Sequence, residues 1–554
     1  MYKRILKLTP LDLPLVLFLL SAFLGLWPAY DRNLCRDTLI ALSAGCLLYV
    51  LISRLAVSRS WWRAIAAVIA LTSVLLSLYF VTQYARFDYP AKIEALNRLG
   101  ALIGRIAPPV GVWVPTANSV ATFLEGAIFL AVALALTERK LAWRAGWAIG
   151  VGLIGLALLM SASRGAWLAV VVASALWWAL YWRPARVAAI VGAIAALGLV
   201  IYVIVQGDTT LLDDIPIINQ TLAPMFVRPD RLEVYRGSIY LIQDFALTGI
   251  GLGEQFAMVY SKYALLLQHA FLFYSHNLYL EVWLEQGLLG ITAWLWLMTA
   301  LYQAARTRAK PGADLLYQST WIGLTAAFVH GISDACQYVS LWCWFPFFGL
   351  LGLNAAILLR RDHTVARTRG WMVPTGAVVA FLVAVAVSLH PLTATYHANL
   401  GCITQARGDL LESLDDGQRA ALRQQAADHY RRAIQIAPHD RTARQRLGLI
   451  LMDVDRFQEA VEHLEIAWQA DPENTTTRKA LGLAYVWVGE LGKAQPLLQG
   501  VPDIVYELNI WGGWRGRQGQ TEQSLNAYRM SLLLEADQPQ VREMVEQLED
   551  ELAH

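Results

Sequence analysis

Ser275-His276-Asn277 stands at the mouth of a long apolar run beginning at Leu278, just after the longest polar segment between hydrophobic stretches. Ser275 and Asn277 are both good helix N-caps, so a helix is expected to start here with its positive end turned to the polar side. His276 would then sit beside open backbone N–H groups, a place suited to an anion such as a diphosphate. Histidine titrates near neutral pH, which fits His276 to act as a general base. The same three residues also describe an interfacial histidine with no chemistry, so the rest of the chain has to decide. Further back, Ser161, Ser163 and Gly165 make a small polar turn around Arg164 between two apolar runs. A guanidinium there can grip phosphate oxygens in a bidentate fashion, whereas an arginine that only snorkels at a helix end would look alike.

The polar segment before His276 carries Arg228, Arg231 and Arg236, followed by Gly249, Gly251 and Gly253. By themselves the arginines describe attraction to anionic lipid headgroups. The glycines allow a tight turn or a close backbone approach to a ligand. His330 and Asp334 share one helical face at i and i+4 and could line the same cavity from behind. Asn118 opens another apolar run, where a helix cap explains it equally well. Glu281 and Glu285 lie one turn apart inside the run after His276. Carboxylates at that depth are costly, and a structural part, bonding loop backbone or an arginine, is expected of them. The five cysteines, Cys35, Cys46, Cys336, Cys343 and Cys402, show no ligand spacing, so neither a disulfide framework nor a metal site is expected. No Walker motif, HExxH or GxSxG occurs, and nothing suggests nucleic-acid binding.

In order along the chain, Ser163-Arg164-Gly165-Ala166-Trp167, Gly249-Ile250-Gly251-Leu252-Gly253 and His276-Asn277-Leu278-Tyr279-Leu280-Glu281 resemble the bacterial O-antigen ligase and polymerase family. The resemblance covers about residues 110 to 355. It implies inverting transfer of a glycan from an undecaprenyl-diphosphate carrier to an acceptor hydroxyl, on the outer face of the cytoplasmic membrane. The acceptor would be a lipid, another glycan or a protein. Arg164 and Arg231 would neutralise the diphosphate and His276 would serve the acceptor, with Arg228, Arg236, Asn277, Gly251, Gly253, Asn118 and His330 around the substrate. No cofactor or metal is implied, because arginines supply the charge. Arg231 matches the family's loop arginine, although Tyr235 stands four residues on where tryptophan is more usual.

These residues need a scaffold, and composition says what kind. Hydrophobic residues make up 56% of the 554 and charged residues 16%, against about 25% charged in soluble domains. The 21 tryptophans and 22 tyrosines suit aromatic belts at membrane interfaces. Apolar runs long enough to cross roughly 30 Å of hydrocarbon occur at about 11–28, 37–53, 63–82, 117–137, 145–162, 165–182, 186–206, 277–303, 315–333, 339–359 and 371–390. The reading is an all-α bundle of eleven or twelve spans, with Leu11–Trp27 a retained first span rather than a cleaved signal. Basic connectors alternate with poorer ones, which puts the N-terminus in the cytoplasm and the large loop 207–276 outside. A transporter for the same lipid would show an internal repeat and broken helices, and neither is legible. A non-catalytic scaffold is the third reading.

After residue 391 the composition turns soluble and a 34-residue period appears. Leu447-Gly448, Ala460, Leu464 and Ala467 are followed 34 residues later by Leu481-Gly482, Ala494 and Leu498, the spacing of tetratricopeptide repeats. Leu400-Gly401 with Tyr430, and Gly512 with Tyr528, form looser copies. Residues 1–394 are therefore expected to be a transmembrane transfer domain and 395–554 an α-solenoid that offers a protein partner a groove. By the span count the solenoid lies outside, with His276.

Overall fold

The structure, a computed structural model, describes residues 7–87, 94–111, 113–179, 181, 229–265, 272–308, 314–360 and 391–554. All regular structure among the described residues is helical. The apolar part comprises α1 (Asp12–Leu24), α2 (Arg36–Leu55), α3 (Arg59–Gln83), α4 (Glu94–Ile106), α5 (Ala117–Thr137), α6 (Leu141–Met160) and α7 (Arg164–Ala179). It continues with α8 (Pro229–Asp244), α9 (Phe256–Tyr263), α10 (Leu278–Arg308), α11 (Leu315–His330) and α12 (Trp344–Arg360).

Among the described residues, six stretches are long and apolar enough to cross a membrane: Asn33–Leu55, Arg59–Arg86, Ala117–Thr137, Leu141–Met160, Leu278–Ala305 and Leu341–Arg360. The chain is a multi-pass membrane protein. Helices α1 and α7 are apolar but shorter. The expected runs at 186–206 and 371–390 lie outside the described residues, as does Arg228. The run at 315–333 becomes the 16-residue α11. Every residue of α11 from Leu316 to Phe328 is buried, between α5, α7 and α12. Helices α5 and α11 cross with their backbones in contact. A Cβ on Gly323 would stand 2.6 Å from the Gly126 carbonyl oxygen, so only glycine fits there.

Hydrogen bonds sort the helix ends into two groups. At one end, Arg54 pairs with Asp12 (Nη2–Oδ1, 2.8 Å), Arg63 donates to the Thr137 carbonyl (2.8 Å), and Arg59 stands 3.6 Å from Asp314. These belong to the basic connectors of the sequence pattern, and they gather where α1, α3 and α11 begin. The start of α5 and the end of α11 meet at the other end, where Asn118 donates to Asp334 (Nδ2–Oδ2, 2.8 Å).

Helix α10 is broken at Gly287, whose φ of 65° and ψ of −162° interrupt its 31 residues. The unbroken run read from the sequence is corrected here. The gap is plugged by the segment between α8 and α9. Leu288 donates its N–H to the Leu247 carbonyl (3.2 Å) and Ile250 donates to the Leu284 carbonyl (2.6 Å). Backbone groups freed by the break are thus satisfied within the protein.

Beyond residue 391 lie α13 (Leu392–Leu410), α14 (Asp416–Ile436), α15 (Arg441–Asp453), α16 (Phe457–Ala470), α17 (Thr475–Trp487), α18 (Leu491–Leu498), α19 (Ile504–Arg517), α20 (Thr521–Leu534) and α21 (Pro539–Ala553). Consecutive helices pack as pairs, α13 with α14, α15 with α16, α17 with α18 and α19 with α20. One contact recurs in each pair. A Cβ on Gly401 would meet Tyr430 at 2.5 Å, on Gly448 Leu464 at 2.7 Å, on Gly482 Leu498 at 2.6 Å, and on Gly512 Tyr528 at 2.9 Å. The glycines of the sequence period are there to admit a large side chain from the second helix.

Candidate functional site

Helix α10 begins as its sequence dictates. The Asn277 Oδ1 accepts the N–H groups of Tyr279 (3.0 Å) and Leu280 (3.1 Å), which makes Asn277 the cap and Leu278 the first helical residue. Leu278 in turn donates to the Gly331 carbonyl (2.7 Å), and Glu281 to the Asn277 carbonyl (2.9 Å). These N–H groups are occupied, so the expectation that His276 sits beside open donors is corrected. An anion at this point would have to be held by side chains.

Ser275 is the anchor of the loop rather than a second cap. Its N–H (2.7 Å) and hydroxyl (2.6 Å) both donate to the Glu281 Oε2. That pair of hydrogen bonds ties the loop to the helix one residue before His276, which itself takes a left-handed backbone, φ 54°. Such a conformation in a non-glycine residue is uncommon and is found where surrounding contacts enforce it. The His276 ring packs on Tyr274, centroids 4.2 Å apart. Burial, with the Asp334 carboxylate beside it, pushes the Tyr274 hydroxyl up. Tyr274 therefore stays a donor, reaching the Asp334 Oδ1 at 3.3 Å.

The turn that follows α11 is the meeting point of the site. Three successive carbonyls are each taken by a different partner: Gly331 by the Leu278 N–H (2.7 Å), Ile332 by the Asn277 Nδ2 (2.9 Å), and Ser333 by the Arg231 Nη1 (2.6 Å). Asp334 closes the turn, with Arg231 Nη2 at 3.9 Å. Tyr235, one turn along α8 from Arg231, donates to the His276 carbonyl (3.0 Å). Burial raises this hydroxyl as well, so it too remains a donor. Arg231 and His276 are thus held by the same few residues, although 45 residue steps separate them along the chain.

Arg164 joins this group through its neighbours. It is exposed at the first position of α7, where Ala162, φ 49°, turns the chain. Next to it, Ser163 Oγ lies 3.4 Å from His330 Nε2. A Cβ on Gly165 would fall 2.2 Å from the Ser333 Oγ, so the Arg164 turn rests directly on the 331–334 turn. On its other side the His330 Nδ1 meets the Glu125 Oε2 at 2.8 Å, and both side chains are buried. His330 is therefore a bridge inside the bundle, behind the surface that Arg164 shares.

The remaining candidates have other surroundings. Asn118 spends its amide on Asp334, while the helix cap of α5 is Thr116, which accepts the Ser119 N–H (3.3 Å). Arg236 is exposed on α8, five residues past Arg231 and so on another side of the helix. Gly251 (φ 114°) and Gly253 (φ 83°) do sit in a tight turn, but the close approach is to protein. A Cβ would stand 2.4 Å from Ala29 Cα at Gly251 and 2.2 Å from the Leu34 carbonyl at Gly253. The ligand expected against these glycines is replaced there by backbone. Gly253 also donates to the Glu285 Oε2 (3.0 Å). Glu281 and Glu285 thus hold loop backbone, as expected of them.

Sequence reasoning missed Glu125. The signal was present, a lone carboxylate inside a helix otherwise free of charge from Ala117 to Thr137. It also undervalued Tyr274 and Ser333, since a tyrosine in a loop and a backbone carbonyl carry no motif. Among the described residues no group of three or more His, Cys, Asp or Glu is arranged to hold a metal ion.

The family model described as O-Antigen ligase matches residues 149–295. Arg164, Arg231 and His276 all fall within the match, whereas Glu125, His330 and Asp334 fall outside it. The chain is similar to that family over this segment, which supports a membrane enzyme that transfers glycans, of ligase or polymerase type. No curated protein matches the chain.

Proposed function

We propose that the protein transfers a glycan from an undecaprenyl-diphosphate carrier to an acceptor hydroxyl at the extracytoplasmic face of the bacterial inner membrane. The observation that carries this reading is the shared turn at 331–334. It draws together the three residues expected to do the chemistry, and all three lie in the segment similar to O-antigen ligases. Arg164 presents its guanidinium fork to the diphosphate oxygens, Arg231 turns to them the N–H groups that Ser333 and Asp334 leave over, and together they offset the charge that grows there as the sugar–oxygen bond breaks. His276 takes the acceptor's proton as the new glycosidic bond forms, and the carrier leaves as its diphosphate. Asp334 and Asn118 fix Arg231 from behind. The reaction needs no metal in this reading, because arginines supply the positive charge.

Residues 395–554 are read as tetratricopeptide repeats, supported by the recurrent glycine contact within each helix pair. They are assigned to the same side of the membrane as His276. Support for this comes from the core they share with residues 234–265 of the polar segment, since a common core forms only in one compartment.

The test is to delete the gene and analyse the glycans. Loss of long chains marks a polymerase. Chains that persist on the carrier without attachment mark a ligase, to lipid or to protein according to which acceptor goes bare. Unchanged glycans would overturn the proposal.

A further inference from the structure

Repeat arrays present a face built by the first helix of each pair, and in this protein the chain itself sits on that face. The Asn399 Oδ1 on α13 accepts the Leu247 N–H (2.9 Å). On α15, Arg441 (2.8 Å), Thr442 (2.9 Å) and Arg446 (Nε, 2.9 Å) all donate to the Asp244 carboxylate. The Glu473 carbonyl, just before α17, accepts from Tyr240 (2.8 Å), and Lys479 on α17 donates to the Leu265 carbonyl (2.8 Å). Arg446 and Asp244 are both buried, and the Arg446 guanidinium lies 3.5 Å above the centre of the Tyr263 ring. Burial alone would raise the Asp244 carboxyl, but the Arg446 and Arg441 guanidiniums outweigh it and hold it below the usual range.

Asp244 is the last residue of α8, and Arg231 lies near its first. The 13 residue steps from Arg231 to Asp244 span about 20 Å of helix. One end of α8 is therefore pinned to the 331–334 turn and the other to the array. A rigid helix held at both ends transmits the placement of one to the other.

We propose that the C-terminal array works in cis as a clamp: by gripping Asp244, Arg446 fixes α8 and sets where Arg231 stands against Ser333 and Asp334. Arg446 is then a positioning residue for transfer. The inference rests on the reading of Arg231 as a diphosphate ligand, and two measurements separate the failure of one from the failure of the other.

The first does not depend on activity. Spin labels are placed at the exposed positions Ile239→Cys on α8 and Ile332→Cys on the turn, the native cysteines being buried. The full-length protein in nanodiscs should give one narrow distance distribution, which Arg446→Met broadens. The double variant Arg446→Met/Asp244→Asn leaves no buried carboxylate behind, and so distinguishes a lost clamp from a lost fold. It should broaden the distribution as well while the protein stays inserted at normal abundance. An unchanged distribution in both variants overturns the clamp.

The second measures turnover of a lipid-linked donor. Arg446→Met should lower wild-type turnover at least tenfold but lower the residual turnover of Arg231→Lys less than twofold, because both changes act through one contact. Equal fold-losses in the two backgrounds overturn the link to Arg231. Full turnover in both Arg231→Lys and Arg231→Ala would instead overturn the assignment of Arg231, and the distance measurement would still decide the clamp.

Discussion

Glu125 and His330 meet inside the helix bundle with Oε2 and Nδ1 2.8 Å apart, and neither side chain reaches the surface. A pair of this kind gives a steep response to losing one member, because the survivor stays buried without its partner. Glu125→Ala should cost about 3–5 kcal/mol of stability. Thermal unfolding in detergent is the check, and a loss under about 1 kcal/mol, the range of exposed pairs, would mean that the pair is not closed in the folded protein.

Three substitutions address the chemistry. His276→Ala, Arg164→Ala and Arg231→Ala should each lower glycan transfer about a hundredfold or more, the scale of removing one preorganised charge-stabilising group. Abundance in the membrane should stay normal. Arg164→Lys should fail as well, since an ammonium cannot form the bidentate contact. Wild-type product levels in the His276 and Arg164 variants would sink the assignment.

Chelation gives an independent readout. Transfer by the purified protein should survive EDTA. Complete loss that a single divalent ion restores would contradict a mechanism in which arginines carry the charge.

The clamp has a pH signature. Because the folded Asp244 carboxyl is held below its ordinary value, its contribution is complete above the unfolded value of about 4. It disappears as pH falls through the lower, folded value. The grip of Arg446 on Asp244 should therefore be insensitive to pH between neutrality and about 5 and should weaken only in stronger acid. The label distance at Ile239 and Ile332, followed on acidification, reads this. In Asp244→Asn the acid step should vanish, and a step centred near neutral pH in the wild type would point to another group.

Sidedness of the array is tested by labelling. Cys402, at the head of the array, would be the natural probe, but it is fully buried against Tyr430. Ser413→Cys in the exposed turn between α13 and α14 replaces it. A membrane-impermeant maleimide should label that residue in intact spheroplasts. Labelling only after lysis would put the array, and with it the polar segment whose core it shares, in the cytoplasm.

Much of the frame could be read directly. The span at 117–137 and the start of α10 beside Asn277 coincide with the helices found, because capping and apolar length are local properties. The glycines at 401, 448, 482 and 512 were legible for the same reason, since a repeat displays its packing rule several times. What escaped depends on distant neighbours. The period at 315–333 shows an apolar run of adequate length, and only its surroundings reveal a core helix wrapped on all sides. Gly251 and Gly253 announce a close approach without saying to what. Gly287 passes as an ordinary helix glycine until the 247–250 segment is seen filling the break beside it. Glu125 looks like an isolated cost to its helix, and its partner comes from over 200 residues further along.

The setting of α11 bears on how the protein is made. Gln318, Ser319, Thr320, Thr325 and His330 are all buried in it, a heavy polar load for 16 residues entering lipid alone. Two of the helices that surround it, α5 and α7, are synthesised earlier, and α12 follows immediately. During translation the ribosome thus delivers α11 to a membrane where most of its receptors already wait. Its insertion should therefore depend on them, and a chain lacking α5 should release α11 to quality control rather than leave it stranded in the bilayer.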